Sequence, residues 1–226
     1  MRNAYKIGAL AIAGSLALAA CGSSSSGGGS SSGGGGGKTL VISSDLPLQG
    51  ASKDASDSTN QIIELYLEQI GSKAGDYTIE FKKYDDSTAA AGKWDQAQCT
   101  KNAQDHVANA NEVAVMGTYN SGCAKIIVPV LNQAPDGPML MVSNANTNPG
   151  LTKTWDPGEP DKYYPTGQRN YARVVTTDDN QGKAAAQFMA KDLGVKKCYI
   201  LNDNETYGQG VATSFEKEAP NVGITV

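Results

Sequence analysis

The sequence predicts an α/β protein built from parallel sheets flanked by helices. From Thr39 onward, short runs rich in β-branched and aromatic residues alternate with segments whose apolar residues recur at helical spacing. That alternation is the pattern of strand-helix-strand units. After a long irregular stretch it starts again near residue 178, which predicts a second unit of the same kind.

Residues 40–42 read as the first strand. Ile62, Ile63, Tyr66, Leu67 and Ile70 then fall on one helical face that stops at Gly71, a natural C-terminal cap. Residues 77–81 alternate as a second strand, 94–107 form a helix, 113–116 a third strand, 124–131 a helix and 139–142 a fourth strand. Residues 144–169 are rich in Asn, Pro, Gly and Tyr without periodicity and read as a long ordered loop, packed down by Trp155, Tyr163, Tyr164 and Tyr171. Asp178 or Asp179 caps a helix running through Ala184, Phe188 and Met189 to Leu193, ended by Gly194. Residues 197–201 read as a fifth strand, 207–218 as a helix and 224–226 as the start of a sixth strand. A sheet as small as this second one cannot cover its own faces and edges, so the chain is expected to be the amino-terminal part of a longer protein, with a boundary between lobes near Thr176.

The N-terminus carries a different signal. Arg2 and Lys6 precede an apolar run over 7–18, then Ala19, Ala20 and Cys21, which reads as a lipoprotein signal peptide over 1–20 with Cys21 as the lipidated residue. The apolar stretch 7–20 falls short of the roughly 20 residues that a spanning helix needs. Residues 22–37 are only Ser and Gly. With Cys21 they make a tether over 21–37 reaching roughly 20 to 25 Å, which leaves 38–176 as the first lobe and 177–226 as the start of a second. The expected location is the outer face of the cell membrane.

The chain has 19 basic and 23 acidic residues, a net charge of −4. Loss of Arg2 and Lys6 with the signal makes it −6, a balance that argues against nucleic acid as a partner. Besides Cys21 there are Cys99, Cys123 and Cys198, an odd number, so at most one disulfide closes in the oxidising compartment. Cys99 and Cys123 are expected to pair, worth roughly 3 kcal/mol through the unfolded chain. Cys198 reads as a small buried hydrophobe.

Ligands in open α/β sheets bind at the carboxyl ends of parallel strands. There lie Gly117-Thr118-Tyr119-Asn120-Ser121-Gly122, which runs into a helix, and Ser143-Asn144-Ala145-Asn146-Thr147. Free amides at a helix start with the Ser121 hydroxyl suit a carboxylate, and the Ala145 carbonyl and Thr147 hydroxyl can accept from an ammonium. From spacing alone, Ser121 is equally an ordinary helix cap and Thr147 ordinary turn chemistry.

Enzyme signatures are weak. Tyr119 stands where a Gly-x-Ser-x-Gly frame needs its first glycine. His106, the single histidine, reads as a surface helix residue, and Asp85 with Asp86 as turn residues and a solvated cap. Gly208-Gln209-Gly210 lacks the third glycine of a dinucleotide loop. No phosphate loop or metal-ligand spacing is present, and no cofactor or metal is expected.

Tyr84-Asp85-Asp86, then Gly117 to Ser121, then Ser143 through Thr152, then Tyr207-Gly208-Gln209-Gly210, taken together, resemble the branched-chain amino acid binding proteins of bacterial ABC importers. The resemblance covers Thr39 to Val226. It implies a two-lobe periplasmic-binding-protein type 1 fold whose second lobe is incomplete here, a small amino acid of the branched-chain type or a related compound as ligand in an interlobe cleft, with urea, amides and other small acids open, ABC permease subunits as partners and no catalysis. It implies that Ser121 holds the ligand carboxylate, that Ala145 and Thr147 hold the ammonium, and that Tyr207 lies across the cleft. Two departures stand out. Family members place a cysteine directly before the binding serine, where this chain has Asn120 and carries Cys123 instead; and the family's acidic partner for the ammonium comes from later in the second lobe. The alternatives from other classes are a ligand-sensing module of a membrane receptor and a secreted α/β hydrolase.

Overall fold

A six-stranded sheet, five of its strands parallel, forms the centre of the computed structural model, which describes residues 38–226. Cys21, the signal segment and the tether lie outside the described residues. The chain runs β1 (Thr39–Leu46), α1 (Lys53–Gln69), β2 (Lys73–Ala74), β3 (Tyr77–Asp85), β4 (Ser87–Thr88), β5 (Lys93–Trp94), α2 (Gln96–Ala108), β6 (Glu112–Gly117), α3 (Ser121–Asn132), β7 (Leu140–Ser143), β8 (Tyr171–Arg173), α4 (Asp178–Lys191) and α5 (Thr206–Glu218). The sheet order is β2-β3-β1-β6-β7-β8, with only β2 antiparallel to its neighbour, while β4 and β5 pair separately. The chain starts mid-sheet, moves to β3 and returns past β1 to β6. The crevice at the carboxyl ends of β1 and β6 is thus the topological switch point, where ligands bind in such sheets.

The two faces of the sheet differ. On one, α2 and α3 bury Ala103, Val115, Ala124, Ile127, Val128, Leu131 and Met141. Tyr163, Tyr164 and Tyr171 close the same core, and so pack the long loop down as its aromatic content implied. A Cys99–Cys123 disulfide joins the first turns of α2 and α3. On the other face lies α1, whose predicted apolar face buries only Leu67 and leaves Ile62, Tyr66 and Ile70 exposed. A second cluster gathers Ala186, Phe215, Ala219 and Ile224.

The predicted fifth and sixth strands are reduced to one bridge, Lys197 to Thr225. A strand needs a neighbour on its hydrogen-bonding edge, and here Tyr199 and Leu201 are 92% and 95% exposed. Cys198 is half-buried and has no disulfide partner among the described residues. β8 escapes sequence reading because three residues with one buried tyrosine carry no alternation.

Two sequence readings are overturned. His106 is fully buried rather than on the surface. Its Nδ1 meets the Glu112 carboxylate at 2.5 Å and its Nε2 meets Asp45 at 3.1 Å, so α2 is bound to β1 and β6 by charge. Ser43 donates to Glu112 at 2.5 Å, and the Asn102 amide donates to Asp45 at 2.9 Å. A buried imidazole flanked by two acids gives no periodicity signal, because the polar residue occupies a core position. Asp86 is likewise fully buried, not a solvated cap. Burial, then the charges of Asp45 and Asp85, push its pKa up to about 8.

Burial alone would lower the His106 pKa, but its bonds to Asp45 and Glu112 outweigh burial and raise it to about 9. The folded value lies above the ordinary 6.5, so this stabilisation is complete below pH 6.5 and is lost as pH rises through 9. Thermal melts from pH 6 to 10 are expected to show a falling melting temperature across that window. In His106→Gln the fall should be shallower and stability at pH 6 lower by about 3 kcal/mol, since two buried carboxylates lose their cation. Parallel pH profiles for the two proteins would refute this assignment.

Candidate functional site

Gly117 closes β6 with φ +151°, and a Cβ there would stand 2.4 Å from the Asp45 carbonyl oxygen. Only glycine lets β6 approach β1 this closely. The next turn leads into α3, with Asn120 as N-cap and the Ala124 amide donating to the Asn120 carbonyl at 3.2 Å as the first ladder bond. The amides of Ser121, Gly122 and Cys123 precede that bond and point out of the helix start. Ser121 is therefore not the cap but the first helical residue, and its buried hydroxyl accepts from the Asn148 amide at 3.3 Å.

The loop after β7 is fixed by side chains. The Ser143 hydroxyl donates to the Thr118 carbonyl at 2.9 Å and accepts from the amides of Ala145 and Asn146. The Asn146 side-chain amide donates to the carbonyls of Thr118 at 2.8 Å and Tyr119 at 3.0 Å, and its oxygen accepts from the Tyr171 hydroxyl at 3.2 Å. Arg173, at the end of β8, donates to the carbonyls of Asn146 and Asn148 and to the Thr152 hydroxyl. These bonds hold the loops after β6 and β7 side by side beyond the sheet edge, where no strand ladder can do so.

Ser121, Ala145 and Thr147 are brought to this edge. The Thr147 carbonyl accepts from the Asp178 amide at 2.9 Å. Its hydroxyl is buried and, among the described residues, has no hydrogen-bond partner, and neither do the two carboxylate oxygens of Asp178. The hydroxyl nonetheless stands near enough to pull the Asp178 pKa down, against the burial that raises it overall. Asp178 is the first residue of α4, and Thr177 is its N-cap. Gly210 on α5 faces the same carboxylate, where a Cβ would lie 3.1 Å from Asp178 Oδ2 and 3.3 Å from Asn148 Nδ2.

Tyr207 stands apart from this group. It is half-exposed near the start of α5, its hydroxyl accepts from Gln181 Nε2 at 3.1 Å, and its ring lines an apolar depression with Met189, Ile200, Leu201 and Phe215.

Sequence reasoning missed two residues of this edge. The expected cap at Asp178 or Asp179 is corrected to Thr177, because both acids lie inside the first turn of α4, and full burial is what separates Asp178 from Asp179. Asn146 sits in an Asn-rich loop where its neighbours Asn144 and Asn148 read alike.

The edge can do simple chemistry. Donors at the start of α3 suit an anion, and two buried acceptors at Thr147 and Asp178 suit a cation. Among the described residues no helix is long and apolar enough to cross a membrane.

The chain is similar to a Leu/Ile/Val-binding protein, BraC3, of Rhizobium johnstonii, 32% identical over 111 residues that make up 49% of this chain and 26% of that protein. In fold it is similar to a leucine-binding protein from Thermotoga maritima, with TM-score 0.66 and 20% identity, covering 81% of this chain and 46% of that one. It is similar also to an ABC transporter solute-binding protein from R. palustris in complex with benzoate, with TM-score 0.67 and 21% identity, covering 83% and 46%. The chain thus spans about a quarter of the curated relative and just under half of the solved structures. Over that half the expected type 1 binding-protein fold is the one found. With a periplasmic binding protein family model matching residues 44–226, the chain belongs to the periplasmic binding protein family.

Proposed function

We propose that this chain is the solute-binding component of an ABC importer, held outside the cell membrane by a lipid on Cys21, and that its ligand is a small amino acid of the branched-chain type. The observation that carries the reading is the buried Thr147 hydroxyl and Asp178 carboxylate, which have no hydrogen-bond partner of good geometry among the described residues, beside the first turn of α3, whose opening amides have no partner within the helix. A buried carboxylate without a donor is costly, and an α-ammonium would satisfy it while the ligand carboxylate meets Ser121 and the α3 amides. The Ala145 carbonyl would take a further ammonium proton.

With the lobe boundary near residue 176, Ser121, Ala145 and Thr147 belong to one lobe and Asp178 and Tyr207 to the other. A ligand held by both favours the closed form and shifts an open-closed population. Tyr207 would have to swing from Gln181 over the ligand as the lobes close. The closed form is the one presented to a permease, and a separate ATPase drives transport. Hydrolysis is disfavoured because the single histidine is bound to Asp45 and Glu112 in the core, so Ser121 lacks an imidazole base.

A second reading has its own support: the R. palustris neighbour holds benzoate. An aromatic acid lacks an ammonium and would leave Asp178 protonated, which the upward shift of its pKa permits.

Calorimetric titration of the native protein extracted from its cells is expected to give heat with leucine and much weaker binding of 4-methylpentanoate, leucine without its ammonium. Ser121→Ala should weaken both ligands about 10-fold. Asp178→Asn should weaken leucine about 10- to 100-fold and leave 4-methylpentanoate unchanged. Tight 4-hydroxybenzoate binding without any leucine heat would select the second reading, and leucine binding insensitive to both variants would sink the site.

Asn146→Ala takes the side-chain donor from the Tyr119 carbonyl and the acceptor from the buried Tyr171 hydroxyl, and leaves the Thr118 carbonyl with Ser143 alone. The expected cost is about 1 to 3 kcal/mol in denaturant unfolding, together with lost leucine affinity. Full affinity in a destabilised variant would show that the clamp serves the fold alone.

A further inference from the structure

We propose that Asp86, Cys99 and Cys123 form a site for a divalent metal of zinc's class when the disulfide is open. One carboxylate oxygen and the two sulfurs lie within 4.8 Å of one another, and all three residues are fully buried. Tetrahedral zinc with thiolate and carboxylate ligands sets its donors roughly 3.5 to 3.8 Å apart, so small side-chain rotations suffice once the sulfurs separate.

The independent observation is Asp86 itself. Both of its oxygens are buried without a hydrogen-bond partner among the described residues, whereas buried polar groups are nearly always satisfied. Its backbone is pinned on both sides, the amide donating to the Leu46 carbonyl at 3.2 Å and the carbonyl accepting from the Asp95 amide at 2.8 Å. The carboxylate therefore stays beside the sulfurs. Cys99 and Cys123 are held by α2 and α3, so the donors come from three rigid places in the fold.

Two thiolates and one carboxylate suit zinc or cadmium and not calcium or magnesium, which prefer all-oxygen shells. Three protein ligands leave a fourth position for water. Opening the disulfide takes two electrons and two protons from a dithiol, which closes to its own disulfide. Metal then displaces one proton from each thiol and, where the acid is protonated, one from Asp86. Metal and disulfide are thus alternative staples for the same junction of α2 and α3, the metal serving a chain not yet oxidised.

The test uses the whole chain, unfolded and reduced with a water-soluble phosphine, then refolded with zinc, with affinity read by competition against a chromophoric chelator. Cadmium in parallel reports thiolate bonding by its ultraviolet charge-transfer band. The reduced protein should take one zinc at least 100-fold more tightly than the oxidised protein, and more tightly than a Cys99→Ser, Cys123→Ser variant that keeps Cys21 and Cys198. Asp86→Asn should weaken the reduced protein about 10-fold or more. That variant keeps both cysteines and keeps the outcome readable even if reduction loosens the fold, because thiols of an unfolded chain would not sense Asp86. Zinc binding no tighter than in the serine variant, or unchanged by Asp86→Asn, would overturn the proposal.

Discussion

The side chain of Asn146 holds together the part of the molecule where the proposed ligand site lies. Beyond the ends of β6 and β7 the sheet's own hydrogen bonds stop, yet two loops must run side by side there. Asn146 takes the carbonyls of Thr118 and Tyr119 from one loop while Tyr171 and Arg173 hold its oxygen and backbone from β8. Ser143 completes the clamp from the opposite side. With both loops fixed by each other, the start of α3 and the Thr147 hydroxyl can keep unsatisfied groups without collapsing onto neighbours. A preformed site of this kind loses less freedom when a ligand arrives.

The same sheet end concentrates acid. Asp45, Asp85 and Asp86 lie at the ends of β1 and β3, and each is handled differently. Asp45 is matched by His106 and Asn102. Asp85 is wrapped by the amides of Leu48 and Ser87 and by the Gln49 side chain, and despite its burial it stays below the usual carboxylate range. Asp86 has none of these donors among the described residues, and burial pushes its pKa up to about 8. Asp85 and Asp86, adjacent in sequence, show how hydrogen-bond supply decides which way a buried carboxylate is shifted.

Much of the fold was legible. The apolar runs at 113–116 and 139–142 became β6 and β7, and the helical spacing at 124–131 became the core of α3, because tight periodicity reflects real burial. The Cys99 and Cys123 pair also formed. Reading failed where side-chain type and environment part company. His106 and Asp86 are polar at core positions, so periodicity sent them outward. The α1 pattern was helical as read but is mostly uncovered, since periodicity reports which face is apolar and not what packs against it. At the edge, Ser121 and Thr147 were visible only as possibilities, and Asp178 was hidden among capping acids because its lack of a donor is a property of the folded chain alone.

The central claim is that the edge between the loops after β6 and β7 and the start of α4 is an amino-acid site. It is tested most directly by a crystal structure of the native protein grown with leucine. The account predicts the ligand carboxylate within about 2.7 to 3.2 Å of Ser121 Oγ or the first α3 amides, and its ammonium at similar distances from Thr147 Oγ1 and Asp178. Leucine seated elsewhere, with the Thr147 hydroxyl and the Asp178 carboxylate still unpartnered, would contradict it.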